Sequence, residues 1–265
     1  MTDLSQFSLS DRTVLLTGAT GYLGISMAWS LAKSGATVLI NSRSEENSER
    51  LVQELQRANL LAEKAVFDVT NQSEIDQFFI KRKNQPLHCL INNAYSGSGG
   101  TIECSSAEAY TKSFDLGLTS AHRLIVASLS GLRSSVKNIG DASVINIASM
   151  YGMVSPELQI YETAEGSNPP FYGATKAALI QWTRYAACEF GPEGIRVNSI
   201  SPGAFPSLSV QEKDTNFIKR LERKIPLGRI GQAEEVCGAV VFLASKASVY
   251  VNGANIAVDG GWTAW

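Results

Sequence analysis

Histidine and cysteine are scarce in this chain, and their scarcity excludes several chemistries. The two histidines are His88, at a strand start, and His122, on a helix; neither stands in a zinc-binding spacing such as HExxH. GxSxG is absent, which removes the serine-hydrolase elbow. The four cysteines, Cys89, Cys104, Cys188 and Cys237, are scattered without a CxxC pair and read as reduced thiols of a cytoplasmic protein. Neither charge dominates: 23 basic against 25 acidic residues leave a net −2, so no footprint for nucleic acid or an anionic membrane exists. No apolar run is long enough to span a bilayer. The opening "MTDLSQFSLSDR" lacks the basic and apolar regions of a signal peptide, so a cytoplasmic location is expected and the sequon "NQS" at 71–73 is a chance match. No low-complexity linker or composition break appears, which predicts a single domain over 1–265.

What is present is an ordinary globular balance, 44 % hydrophobic and 18 % charged, organised as alternating elements. Short apolar runs at 13–17, 37–40, 65–67, 87–91, 143–147, 195–200 and 255–259 read as buried strands. Helical patterns fall between them, including 22–33, 45–59 and a helix starting near Ser73. That alternation predicts βαβ units and an α/β fold with a parallel sheet covered on both faces. Ligands in such sheets sit beyond the carboxyl ends of the strands.

Three loops there carry chemistry. "TGATGYLG" (17–24) sets Gly18, Gly21 and Gly24 between a strand and a helix. Gly18 can make the tight turn, Gly21 can admit a pyrophosphate, and Gly24 can let helix and strand pack closely. The alternative is a plain strand-to-helix turn. After the second strand comes "NSRS", with Asn41, Ser42 and Arg43 where an NAD site usually has an acid. No carboxylate there repels a 2′-phosphate and a guanidinium is at hand, so NADP is favoured over NAD; a solvated Arg43 is the alternative. In "FYGATKAALIQW" (171–182), Tyr172 and Lys176 lie one helical turn apart. A fixed ammonium there is expected to lower the tyrosine pKa towards use as a general acid–base. A surface helix pair is the bland reading.

The motifs "TGATGYLG", "NNA" (92–94), "INIAS" (145–149), "YGATK" (172–176), "RVNSISPG" (196–203) and "VDGG" (258–261) occur in one order. Together they resemble the short-chain dehydrogenase/reductase family, in its shorter single-domain branch, over nearly the whole chain. The resemblance implies a Rossmann-type doubly wound parallel sheet of about seven strands and hydride transfer with NADP or NAD. It implies catalytic roles for Ser149, Tyr172 and Lys176, the lysine also holding the nicotinamide ribose. Cofactor contacts carry over to Gly18, Thr20, Gly21, Tyr22, Leu23, Gly24, Ser42, Arg43, Asp68, Val69, Asn92, Ala94, Pro202, Gly203 and Ser207. Tyr95, Ser149, Tyr161 and Phe205 are expected at the substrate, and a homo-oligomer, tetramer or dimer, is implied. The activity implied is interconversion of a carbonyl and a secondary alcohol. A non-catalytic NADP(H)-binding regulator and a nucleotide-sugar epimerase or dehydratase are the alternatives.

The chain departs from the pattern in several places. Its glycine loop is closer to the longer, nucleotide-sugar-modifying branch, with Tyr22 where the shorter branch has its middle glycine. Tyr95 follows "NNA" in place of glycine, and Gly117 falls where a catalytic asparagine normally holds a relay water. Ser149 and Tyr172 are separated by a surplus of about ten residues, roughly 156–170, with three acids (Glu157, Glu162, Glu165) and three prolines. This insert is expected to wall the substrate side, its acids and Tyr161 meeting a hydroxyl-rich substrate; a subunit contact is the alternative. Looser similarity to enzymes of bacterial surface-sugar and flagellin-glycan pathways leans the same way. Residues 206–225 are expected to form a lid whose cations either face solvent or meet a substrate phosphate.

Overall fold

The computed structural model describes residues 4–83 and 85–265. Their strands are β1 (Thr13–Leu16), β2 (Thr37–Ser42), β3 (Ala62–Val66), β4 (Cys89–Asn92), β5 (Ala142–Ile147), β6 (Ile195–Pro202) and β7 (Asn255–Val258). They form one sheet in the order β3-β2-β1-β4-β5-β6-β7, parallel at every pairing. The chain winds outward from β1 to β3, returns to lay β4 beside β1, and winds outward again. Parallel neighbours require crossovers, and reversing their direction spreads the helices over both faces. The reversal between β1 and β4 opens a crevice at their carboxyl ends.

Alternation along the strands builds the two cores. Val14, Leu16, Val38 and Ile40 join α1 (Tyr22–Lys33), α2 (Glu45–Arg57) and α9 (Cys237–Ala244) on one face. Leu15, Leu39, Leu90 and Val144 join α3 (Gln72–Lys81), α5 (Ser120–Ile139) and α6 (Pro170–Phe190) on the other. Each fully buried Leu or Ile contributes roughly 1.5–3 kcal/mol. β5 and β6 are buried at every residue, and their polar side chains bond to the covering helices and to the neighbouring strand. Asn146 Nδ2 donates to Thr183 Oγ1 at 2.9 Å, and Ser201 Oγ donates to Asn255 Oδ1 at 2.8 Å.

Boundaries follow local chemistry. Ser44 Oγ accepts from Asn47 N to start α2, which stops at Arg57, two residues early, because Asn59 adopts a left-handed φ of 59°. Asn71 of the sequon caps α3, accepting from the amides of Ser73 and Glu74. β3 begins at Ala62, ahead of the predicted 65–67, and β4 only at Cys89. His88 Nδ1 accepts from Thr13 N at 2.8 Å; burial, helped by the Arg12 charge, keeps its pKa low.

The lid region forms α7 (Leu208–Lys213) and α8 (Thr215–Lys224). The insert makes one helical turn at Leu158–Ile160 and bends on to Pro170, the first residue of α6. Two of its three acids, expected from the sequence to meet a substrate, are instead paired with lid cations. Glu162 Oε1 accepts from Arg220 Nη2 at 3.2 Å, Glu157 pairs with Lys224, and Arg220 Nε also donates to Ile160 O at 2.7 Å. The insert is therefore latched to α8, and two lid cations are already engaged. Among the described residues, no helix is long and apolar enough to cross a membrane.

Candidate active site

A cavity of about 1090 Å³ opens at the carboxyl ends of β1, β2, β4 and β5, large enough for a dinucleotide beside a small substrate. Gly18, Thr20, Gly21, Tyr22, Leu23 and Gly24 line one part of it. Gly18 has φ +60°, and a Cβ there would lie 2.8 Å from Ala94 Cα; one on Gly24 would collide with Gly18 O. Protein packing thus dictates both glycines. Gly21 differs: its backbone is extended (φ −81°, ψ 173°) and its nearest obstacle is 3.4 Å away. Its bareness serves the cavity, not the packing. No side chain caps α1, so amides of its first turn are left for an acceptor in the cavity. These features fit a pyrophosphate.

The loop is braced by Asn93, which the motif reading did not single out. Asn93 Nδ2 donates to Thr17 O at 2.9 Å and to Gly18 O at 3.1 Å, and Asn93 N donates to Thr17 Oγ1. Asn41 turns inward, donating to Ala65 O at 2.8 Å and Phe67 O at 3.1 Å. Ser42, Arg43, Asp68 and Val69 line the neighbouring wall. Arg43 is extended into solvent, with Nη1 3.8 Å from Asp68 Oδ2. Burial pushes the Asp68 carboxyl up, but hydrogen bonds from Thr70 and the charge of Arg43 outweigh it and hold the pKa low.

Across the cavity, Ser149 follows β5 in extended backbone and caps the turn Met150–Gly152 by accepting from Tyr151 N at 3.1 Å. Two glycines let α6 settle on that turn: a Cβ on Gly173 would lie 2.7 Å from Tyr151 O, and one on Gly152 would lie 2.8 Å from the Lys176 carbonyl carbon. The Tyr172 and Ser149 side chains are thereby brought within each other's influence despite the intervening insert, the serine favouring the phenolate. Lys176 is buried, and its Nζ donates to Ile147 O at 2.7 Å. Burial pushes the ammonium pKa down to about 8. The expected lowering of Tyr172 is not produced by the chain's own groups. Burial raises the phenol, the Ser149 side chain opposes this, and Tyr95 adds a further rise.

Tyr95 lies in the same wall. Its ring meets that of Tyr172 edge-on at 4.9 Å, and Lys176 Nζ sits 4.9 Å from its centroid. Its hydroxyl bonds Ser113 Oγ at 2.7 Å, and Ser113 Oγ bonds Thr175 Oγ1 at 2.8 Å. Ser113 belongs to α4 (Ala107–Phe114), which joins α5 through a π-turn, Asp115–Thr119, around Gly117. Ala94, Pro202, Gly203 and Phe205 complete the expected lining.

Three expected contacts lie elsewhere. Asn92 points into the sheet and donates to Asn146 Oδ1 at 2.8 Å, because its place on β4 gives it the buried side; Asn93 takes the cavity side. Ser207 starts α7, its Oγ 3.1 Å from Ser209 Oγ and outside the lining. Tyr161 bonds the Tyr151 hydroxyl at 3.1 Å and packs on Phe217 in a third, smaller core under the lid, also outside the lining.

A doubly wound sheet, a bare glycine loop at a helix N-terminus and a Ser–Tyr–Lys cluster across one cavity define a dinucleotide-dependent oxidoreductase. Residues 18–263 match the family model described as enoyl-(acyl carrier protein) reductase. The gluconate 5-dehydrogenase of Gluconobacter oxydans is 33 % identical over 261 residues, covering 97 % of this chain and 96 % of that one. A tropinone reductase homolog of Arabidopsis thaliana is 33 % identical over 264 residues, 97 % and 94 % covered. The crystal structure of a gluconate 5-dehydrogenase from Burkholderia cenocepacia, in complex with NADP and tartrate, superposes with a TM-score of 0.87 at 28 % identity, covering 98 % of each chain. The chain belongs to the short-chain dehydrogenase/reductase family and is an NAD(P)-dependent oxidoreductase.

Proposed function

We propose that this chain is an NADP(H)-dependent reductase/dehydrogenase interconverting a ketone and a secondary alcohol on a hydroxyl-rich, sugar-acid- or polyol-like substrate. The convergence of Ser149, Tyr172 and Lys176 on one cavity with the glycine loop carries this reading. When bound, the dinucleotide supplies the nicotinamide ring that gives or takes the hydride. Ser149 donates a hydrogen bond to the substrate oxygen, and Tyr172 gives that oxygen a proton in reduction or removes one in oxidation. Lys176 holds the site's positive charge, anchored on Ile147 O, and favours the phenolate when Tyr172 has lost its proton. Arg43 takes the 2′-phosphate: it is exposed, its one ionic partner among the described residues is 3.8 Å away, and no acid stands at the end of β2.

The substrate class draws support from two sides. Ser96, Ser98 and Ser106 line the cavity next to Tyr95 and suit a hydroxyl-rich ligand. Relatives and neighbours include gluconate 5-dehydrogenases and a 2-deoxy-D-gluconate 3-dehydrogenase with bound NADP. We read the whole chain as one domain, working in the cytoplasm as a homo-oligomer. Exposed apolar side chains such as Tyr185 on α6 and Val126 on α5 suit a subunit contact.

The test is NADPH oxidation with a panel of keto-sugar acids and polyol-derived ketones, run on the wild type and Tyr172→Phe. Turnover with at least one such ketone, cut a hundredfold or more in the variant at unchanged NADPH affinity, is expected. Turnover within a few-fold of wild type in Tyr172→Phe sinks the assignment.

A further inference from the structure

We infer that Tyr95 and Gly117 form one unit that positions the catalytic lysine: the Tyr95 ring occupies the space Gly117 leaves open and holds the Lys176 ammonium against the Tyr172 side of the site. The inference rests on the roles proposed above for Tyr172 and Lys176.

Four observations carry it. A Cβ on Gly117 would collide with Thr175 Cγ2 and come into contact with Tyr95 Cε2 at 3.4 Å, so the ring packs directly against the face that Gly117 leaves bare and a side chain longer than alanine would run into it. The ring is fixed at its far end by the 2.7 Å bond to Ser113, itself tied at 2.8 Å to Thr175 on α6. Its face receives Lys176 Nζ at 4.9 Å, nearer than the Tyr172 ring at 5.7 Å, while its edge contact sets Tyr172. Lys176 makes one hydrogen bond, to Ile147 O, and no ion pair among the described residues, which leaves the Tyr95 face as the nearer of its two ring contacts. An electron-rich ring face can hold a cation that has lost its water. The π-turn lets the α4–α5 helix pass Gly117 while keeping Ser113 and Thr175 in register for the hydroxyl chain.

The groups around Lys176 are the Ile147 carbonyl from β5, the Tyr95 ring from the loop after β4, and Tyr172 on its own helix. Leucine at 95 keeps the apolar bulk and removes the ring's electrostatic attraction. The ammonium is then less favoured and loses its proton at lower pH. In the reduction direction, the alkaline limb of activity should therefore move to lower pH in Tyr95→Leu.

The experiment compares pH profiles of kcat for ketone reduction in the wild type, Tyr95→Leu, Tyr95→Phe, Gly117→Ala and Gly117→Ala/Thr175→Ser. Tyr95→Leu should lose tenfold or more in kcat and shift its alkaline limb down by about one unit. Tyr95→Phe keeps the ring and should retain the wild-type profile with only a few-fold loss. Gly117→Ala should lose activity, and Thr175→Ser, which removes the colliding methyl and keeps the hydroxyl, should restore most of it. A wild-type profile and kcat in Tyr95→Leu overturn the positioning role, as does failure of the Thr175→Ser rescue in a double variant that binds NADPH normally. Tyr172→Phe is the control: if it stays active, the assignment of the site falls and the positioning role falls with it. If it is inactive while Tyr95→Leu is unchanged, this inference alone fails.

Discussion

The two ends of the sheet bury charge in opposite ways. At the amino ends of the strands, Asp141 lies between two buried guanidinium groups, accepting from Arg12 Nη1 at 3.0 Å and from Arg196 Nε at 2.9 Å. The arginines also donate to the Leu243 and Ala244 carbonyls of the last turn of α9, a helix end that welcomes cations. Burial pushes the Asp141 carboxyl up, and the Arg196 bond and charge, then those of Arg12, more than reverse it. At the carboxyl ends, Lys176 is equally buried but keeps one carbonyl and two ring contacts, and its pKa falls to about 8. Compensated charge at one end ties strands and helix together. Uncompensated charge at the other is reactive, a cost that functional sites carry in exchange for their chemistry.

The comparison is broken most severely by removing the compensation. Asp141→Asn leaves two buried guanidiniums without their carboxylate and should destabilise by about 3–5 kcal/mol, read as a shifted urea midpoint at unchanged slope. A loss below about 1 kcal/mol would mean the network is not needed for stability. A smaller effect sharpens the cofactor end. Ser42→Asp with Arg43→Leu adds a repelling carboxylate and removes the exposed guanidinium, so the NADPH/NADH preference should fall by about tenfold or more, roughly 1.4 kcal/mol or above. A wild type that already prefers NADH tenfold contradicts the role given to Arg43.

How much of this was readable beforehand follows from where each signal lies. The sheet was legible because its strands are apolar runs bounded by turns, and β5 and β6, buried throughout, left no period to misread. The glycine loop, Ser149, Tyr172 and Lys176 were legible because type and spacing carry their chemistry. Asn92 and Asn93 were not separable by motif: Asn92 ends β4 facing the sheet interior and Asn93, the next residue, turns to the cavity side, and which of the two did so depended on register. The insert misled for a different reason. Its acids read as ligands for a substrate because their partners, Arg220 and Lys224, lie some 60 positions away in sequence (58 from Glu162 and 67 from Glu157). The upward push on Tyr172 was hidden as well, since spacing shows a lysine one turn away but not the burial that outweighs it.

The most direct test of the central claim is Lys176→Met, assayed for both turnover and stability. Below pH 8 the wild-type lysine is charged in both folded and unfolded chains, and the fold bears its desolvation; between about 8 and the unfolded value of 10.5 that cost is progressively relieved. The variant should lose at least a hundredfold in turnover yet gain about 1–2 kcal/mol of stability at pH 7, an advantage that fades as the pH approaches 10.5. A variant that is less stable than wild type at pH 7, or that still turns over at near wild-type rate, would contradict the account.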